Sequence, residues 1–102
     1  MRITDSQISL IRNESLKYFG SNSHVWLFGS RVDDSQRGGD IDLYVESDIQ
    51  NPAALVDAKL RFMLEMHRLL GDQKIDVVVH RDKCNRHLPI YRIAKETGER
   101  LL

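Results

Sequence analysis

The sequence of 102 residues predicts an α/β (α+β) fold, a small mixed β-sheet with helices packed on one face in the order α-β-β-α-β-α. Three stretches place apolar residues at helical spacing, and three short runs are rich in β-branched and aromatic residues. The last two predicted strands are separated by a helix, which makes them parallel. A polar loop joins the first two, which favours an antiparallel pair.

The first helix is predicted to begin after Thr4 and to end near Phe19. Thr4 suits the N-cap position, and Gln7 stands three residues later, as in a capping box. The polar stretch from Gly20 to Ser23 then ends the helix.

Two strands follow this helix. The segment "HVWLF", from His24 to Phe28, is a short apolar run with high β propensity. The residues from Gly29 to Gly39 are polar and carry glycines at both ends, which predicts a loop. The segment "DIDLYVE", from Asp40 to Glu46, predicts the second strand.

The second helix is predicted from Pro52 to about Leu70, with Asn51 as its N-cap and Gly71 as its stop signal. Its apolar residues cover more than half of its circumference. Either the helix is well buried on the sheet, or part of this surface binds a partner helix or a second copy of the chain. This surface includes Leu55, Val56, Ala58, Leu60, Phe62, Met63, Met66, Leu69 and Leu70.

The segment "KIDVVVH", from Lys74 to His80, predicts the third strand. Pro89 then opens a last helix, which weakens at the glycine of "ETGER". Ile90, Ile93 and Ala94 are expected to face inward from this helix, because they lie at helical spacing.

The composition limits the kind of protein this is. Basic and acidic residues both number 15, so the net charge is zero and strong nucleic-acid binding is not expected. With 41% hydrophobic residues, the chain is predicted to form one globular domain, 1–102. Cys84 is the only cysteine, which suits a reducing compartment. No signal-peptide core or membrane-spanning run is visible, so a soluble, cytoplasmic protein without membrane association is expected.

Three aspartates are predicted to converge on one side of the sheet. Side chains alternate along a strand, so Asp40 and Asp42 share a face of the second strand. Asp76 occupies the matching face of the third strand. If these strands are parallel neighbours, Asp76 lies beside the other two, about 4.8 Å away across the sheet.

Three neighbouring carboxylates repel one another unless they hold protons or a cation. Hard cations with open positions for phosphate oxygens suit such a cluster, which points to Mg²⁺ or Mn²⁺, with two ions expected. In the simpler alternative, Asp40 and Asp42 lie on a solvated sheet face and bind nothing.

A Gly-Ser pair follows the first strand. Gly29 has no Cβ, so a ligand can approach its backbone closely, and Ser30 adds a hydroxyl donor. Successive backbone amides in such a turn can hold an anion. The pair is therefore a candidate phosphate-binding turn beside the carboxylates.

The motifs "LFGSR…GGDIDLYV" and "KIDVVV" resemble the nucleotidyltransferase superfamily that shares the DNA polymerase β palm. They are most similar to the minimal nucleotidyltransferases (MNT type) of prokaryotes, and the similarity spans nearly the whole chain. The resemblance implies a polymerase β palm-like fold. It also implies a reaction in which a hydroxyl attacks the α-phosphorus of a nucleoside triphosphate and releases pyrophosphate.

The resemblance also implies roles for the motif residues. Gly29 and Ser30 would hold the β- and γ-phosphates, with Arg31 as a further nucleotide contact. Asp40 and Asp42 would bind Mg²⁺. Asp76 would bind metal on the acceptor side and help to deprotonate the acceptor hydroxyl. Many members carry a second arginine where this chain has Asp33, and Arg37 could replace it from the loop.

Stand-alone MNT proteins of this family are commonly paired with a helical HEPN-type protein. The resemblance therefore implies an antitoxin that transfers AMP from ATP to a tyrosine of a HEPN-type toxin. The alternative is a non-catalytic module that binds the toxin and neutralises it by occlusion. A lesser alternative is a homo-oligomeric nucleotidyltransferase acting on a small molecule, although the chain shows no acceptor domain.

Overall fold

A four-stranded mixed sheet lies at the centre of the computed structural model, which describes residues 3–28, 41–71, 74–81 and 89–102. The elements in chain order are α1 (Asp5–Phe19), β1 (His24–Phe28), β2 (Ile41–Ser47), α2 (Pro52–Leu70), β3 (Ile75–Arg81), α3 (Pro89–Thr97) and β4 (Glu99–Arg100). The predicted order α-β-β-α-β-α is confirmed, and the two-residue strand β4 follows it.

Local capping explains where the two long helices begin. The Thr4 side chain accepts a hydrogen bond from the Gln7 amide at 3.1 Å, and the Gln7 side chain accepts one from the Thr4 amide at 2.9 Å. At α2, the Asn51 side chain accepts from the Ala54 amide at 3.0 Å, and Pro52 occupies the first helical position. Both predicted helix starts are therefore confirmed.

The strands lie in the order β3-β2-β1-β4. β1 pairs with β2 in antiparallel orientation, and β2 pairs with β3 in parallel orientation, as the connections predicted. The sequence did not predict β4, which pairs with β1. At Gly98 a Cβ would meet the Leu27 carbonyl oxygen at 2.6 Å, so a residue without a side chain allows the turn from α3 into β4.

The larger core lies between the sheet and the helices α1 and α2. Ile41, Leu43 and Val45 of β2 point into this core and have no exposed surface. Their parallel neighbour β3 contributes Ile75 and Val77. The helices and the rest of the sheet contribute the buried residues Ile11, Phe19, Val25, Leu27, Leu55, Ala58, Phe62, Met66 and Leu101.

The expectation that all helices pack on one face is wrong for α3. Ala94 of α3 packs against Trp26 and Tyr44 on the opposite face of the sheet. β1 and β2 are the two central strands of the sheet, and α3 covers part of their second face. The uninterrupted apolar run of β1 reflects this position, because its three middle residues are all buried.

The orientation of α3 also differs from the prediction. Ala94 is buried as expected, but Ile93 is 50% exposed, and Tyr91 packs against the sheet in its place. Tyr91 lies three residues before Ala94, so both side chains lie on the same side of α3, whereas Ile93 does not. The large aromatic ring of Tyr91 therefore covers the Trp26 and Tyr44 rings better than Ile93 could.

The broad apolar surface of α2 divides into two sides. One side is buried against the sheet and carries Leu55, Ala58, Phe62 and Met66. Val56 and Leu60 of the predicted apolar surface are exposed on the other side. α2 has 19 residues. None of the helices in the described ranges combines the length and apolar character needed to cross a lipid bilayer.

A buried hydroxyl connects the end of α1 to the end of β2. The Ser47 Oγ donates to the Phe19 carbonyl oxygen at 2.7 Å and accepts from the Ile49 amide at 3.1 Å. The carbonyls of the last helical turn have no partner within the helix, so Ser47 satisfies one of them.

We expect Ser47→Ala to lower the free energy of unfolding by about 1–3 kcal/mol, because it leaves two backbone groups without their buried partner. Urea denaturation followed by circular dichroism would measure this loss. Ser9→Ala, at an exposed position of α1, is the matched control and should change stability by less than about 0.5 kcal/mol. Equal stability of the two variants would contradict the prediction.

Candidate active site

Asp42 and Asp76 lie directly opposite each other on neighbouring parallel strands. Asp42 of β2 is the register partner of Asp76 of β3. Register partners in a parallel pair point to the same face and lie about 4.8 Å apart. The two aspartates therefore come together on the side of the sheet opposite the larger core, as the alternation of residues in both strands predicted.

This part of the sheet is open to solvent. Asp76 is exposed and Asp42 is half-buried. Two residues further along the same face, Tyr44 has no exposed surface, and His80, the fifth residue after the start of β3, is only 8% exposed. The face thus becomes closed along the strands, and the aspartates occupy its accessible end.

The other predicted site residues lie outside the described residues. They are Gly29, Ser30 and Arg31 of the phosphate-binding turn and Asp40 of the carboxylate trio, and Arg37 and Cys84 also fall outside. Phe28, the last residue of β1, is the register partner of Asp42. Phe28 and Ile41, which flank the segment 29–40, therefore lie at the same end of the sheet as the two aspartates.

The charges and oxygen atoms of the aspartate pair suit a divalent cation. Like charges directly opposite each other in a sheet are unfavourable, and a cation between them removes the conflict. Carboxylate oxygens are ligands that Mg²⁺ prefers. Within the described ranges, no group of three or more His, Cys, Asp or Glu residues could hold a metal ion. Asp42 and Asp76 are the two members of the predicted trio that lie in these ranges. The donor chemistry of this pair fits Mg²⁺.

A buried polar network continues from the aspartates along the same face. The Tyr44 hydroxyl donates to Glu46 Oε2 at 2.8 Å and lies 3.2 Å from His80 Nδ1. Because the single Tyr44 proton goes to Glu46, the Tyr44 oxygen accepts from Nδ1 of His80. Lys95 of α3 donates to the same Glu46 oxygen at 3.1 Å, which anchors α3 to β2.

Aromatic rings surround this network. The His80 ring stacks on Tyr91 with centroids 4.0 Å apart, and Tyr91 in turn stacks on Tyr44 at 5.5 Å. Burial, together with the hydrogen bond to Glu46 and the negative charge of Glu46, raises the pKa of Tyr44 far above its usual value. Tyr44 therefore stays a neutral hydrogen-bond donor at physiological pH.

The alternation of residues along β2 and β3 places Tyr44 and His80 on this face, but it does not show the network that joins them. Tyr44 and Glu46 are two residues apart on one strand, so alternation alone could have placed them side by side. The contributions of Tyr91 and Lys95 had no such signal, because they depend on the side of the sheet that α3 covers.

A scan of the sequence against models of protein families finds no match, and a search of characterised proteins finds no significant relative. The resemblance to nucleotidyltransferases therefore rests on the motif residues of the sequence. The family assignment stays a prediction.

We expect Tyr44→Phe to lower the free energy of unfolding by about 1–3 kcal/mol, because Glu46 and His80 lose a buried hydrogen-bond partner. Chemical denaturation would measure the change. Tyr18→Phe is the matched control, since Tyr18 lies on α1 outside this network, and its effect should stay below about 0.5 kcal/mol. A Tyr44→Phe variant as stable as the wild type would show that the network adds no net stability.

Proposed function

We propose that this protein is a Mg²⁺-dependent nucleotidyltransferase that transfers AMP from ATP to a hydroxyl group of an acceptor. The observation that supports the proposal is the register pairing of Asp42 with Asp76 at the accessible end of a sheet face. Two carboxylates at this spacing on an accessible face can share a divalent cation, since carboxylate oxygens are ligands that Mg²⁺ prefers. The proposal includes a polymerase β palm-like fold.

In this proposal Asp42 and Asp76 hold Mg²⁺, with Asp40 as the third carboxylate and Mn²⁺ as an alternative ion. When bound, the metal would neutralise charge on the phosphates and lower the pKa of the attacking hydroxyl. Backbone amides at Gly29 and Ser30 would hold the β- and γ-phosphates, and Arg31 would add a positive charge.

The reaction forms one bond at phosphorus and breaks another. The acceptor oxygen attacks the α-phosphorus, the bond to the bridging oxygen of the β-phosphate breaks, and pyrophosphate leaves. The acceptor proton passes to the carboxylate of Asp76 and then to solvent. Asp76 suits this role because it is exposed, so an acceptor group can reach it.

We propose as the acceptor a tyrosine of a helical HEPN-type protein, which would make this chain an antitoxin. This part rests on the motif resemblance. A non-catalytic antitoxin that occludes its toxin is the competing function, and the two differ in one measurable respect. Occlusion survives the loss of the aspartates, whereas transfer does not.

We expect Asp42→Asn and Asp76→Asn each to reduce transfer of label from α-labelled ATP to the partner protein by more than ~100-fold, because each removes a metal ligand. The product of the adjacent gene is the partner to test. Asp5→Asn, an exposed change at the start of α1, is the control and should keep full activity. Full activity in Asp42→Asn would overturn the metal assignment, and tight binding without transfer by the wild type would support occlusion.

A second measurement needs no partner. We expect saturating ATP with Mg²⁺ to raise the Tm of the wild type by roughly 10 °C, because the ligand binds the folded state only. The double variant Asp42→Asn, Asp76→Asn should show no such rise, because it lacks the two carboxylates that would hold the metal. An equal rise in both proteins would place the nucleotide elsewhere.

A further inference from the structure

The side of α2 that faces away from the sheet carries exposed aliphatic residues. Val56, Leu60 and Leu64 are 56%, 57% and 71% exposed. They are spaced four residues apart, so they form a continuous row along the helix, which we call the outer stripe. Half-buried Met63 borders it.

The fold itself does not require this row. Leu55, Ala58, Phe62 and Met66 already attach α2 to the core from the opposite side of the helix. A surface helix of a single domain is normally polar on its outer side. A row of exposed aliphatic side chains on a rigid helix instead marks a surface that contacts another molecule.

The outer stripe is nearly symmetric about its centre. Leu60 lies one residue from the middle of α2 (Pro52–Leu70), with Val56 and Leu64 one turn before and after it. If a second α2 lies antiparallel across it, Leu60 faces Leu60 of the second copy, and Val56 faces Leu64 of that copy. The same surface then serves both partners, as a two-fold interface requires.

The charges beside the stripe are also complementary to themselves. Asp57 and Arg61 form an ion pair at 2.9 Å on one flank of the stripe, and both side chains are about two-thirds exposed, at 63% and 67%. When two antiparallel helices are related by a two-fold axis, the side of one helix that carries Asp57 and Arg61 lies next to the same side of the other. Asp57 then lies within about 3 Å, along the helix axis, of Arg61 of the second copy, inside the reach of an arginine side chain. The two Arg61 residues lie about 3 Å apart along the axis as well, so the charges of the four residues follow the order Asp57, Arg61, Arg61, Asp57, with an aspartate at each end.

We propose that the outer stripe of α2 binds the outer stripe of a second copy of this chain, antiparallel, in a symmetric dimer. A second copy of the chain presents both a matching aliphatic row and the same charges in reversed order, so no other kind of partner is needed. The inference is independent of the nucleotidyltransferase proposal, because the stripe lies on the helix layer and the aspartates on the other side of the sheet.

Sedimentation equilibrium of the full chain tests the dimer. The wild type should dimerise, and Leu60→Glu should weaken dimerisation by ~30-fold or more, the loss typical of a central contact residue, since symmetry places both new carboxylates together. Ile93→Glu, on the exposed side of α3, is the matched control and should dimerise like the wild type. Circular dichroism checks that each variant is folded.

A charge exchange tests the orientation. Asp57→Arg should weaken the dimer, because the row of four charges then holds four arginines and no carboxylate. The double variant Asp57→Arg, Arg61→Asp should restore it, because each new carboxylate then lies beside an arginine of the other copy. A wild type that stays monomeric up to ~1 mM would overturn the proposal, as would a dimer that Leu60→Glu leaves intact. A dimer sensitive to Leu60→Glu but not restored by the exchange would overturn the antiparallel arrangement.

Discussion

The parallel pairing of β2 with β3 is the constraint on which the rest of the structure depends. Its register buries Ile41, Leu43 and Val45 of β2 beside Ile75 and Val77 of β3. Burying an aliphatic side chain contributes roughly 1.5–3 kcal/mol, so these five together favour the register by about 10 kcal/mol. A slip of one residue would turn all of one strand's apolar side chains to the other face.

The same register sets Asp42 opposite Asp76, and the repulsion of two carboxylates about 5 Å apart in water costs only ~1 kcal/mol. The core therefore holds the aspartates together against their mutual repulsion.

The sheet has two differently covered faces, and this difference gives the candidate site its environment. α1 and α2 close one face along its length, while α3 covers the other face around Trp26 and Tyr44. The network of Tyr44, Glu46 and His80 fills that covered part with side chains that hydrogen-bond to one another. Because α3 covers the tyrosine and leaves Asp76 exposed, this face of the sheet is buried at one end and accessible at the other. A binding site gains precision when its residues stand on strands whose neighbours are fixed in this way.

α2 connects the core to the outside of the molecule. Its inner side secures the helix to the sheet, and its outer side carries aliphatic residues flanked by the Asp57–Arg61 pair. The breadth of its apolar surface was visible in the sequence, but periodicity could not separate the two sides. The inner side is buried on the sheet, as the first alternative predicted, and binding of the outer side to a second copy stays a proposal.

Local chemistry determined the starts of α1 and α2, the bounds of β1 and the shared face of Asp42 and Asp76. Caps, turns and the alternation of a strand act over a few residues, so they can be read directly from the chain. The proximity of Asp40, Gly29, Ser30 and Arg31 to that pair stays a prediction. Only tertiary packing decided that α3 covers the second face, that Ile93 points to solvent while Tyr91 packs on Tyr44, and that Glu99–Arg100 pairs with β1. Those outcomes depend on which apolar surface remains uncovered after the larger core has formed, and residues distant in sequence set that surface.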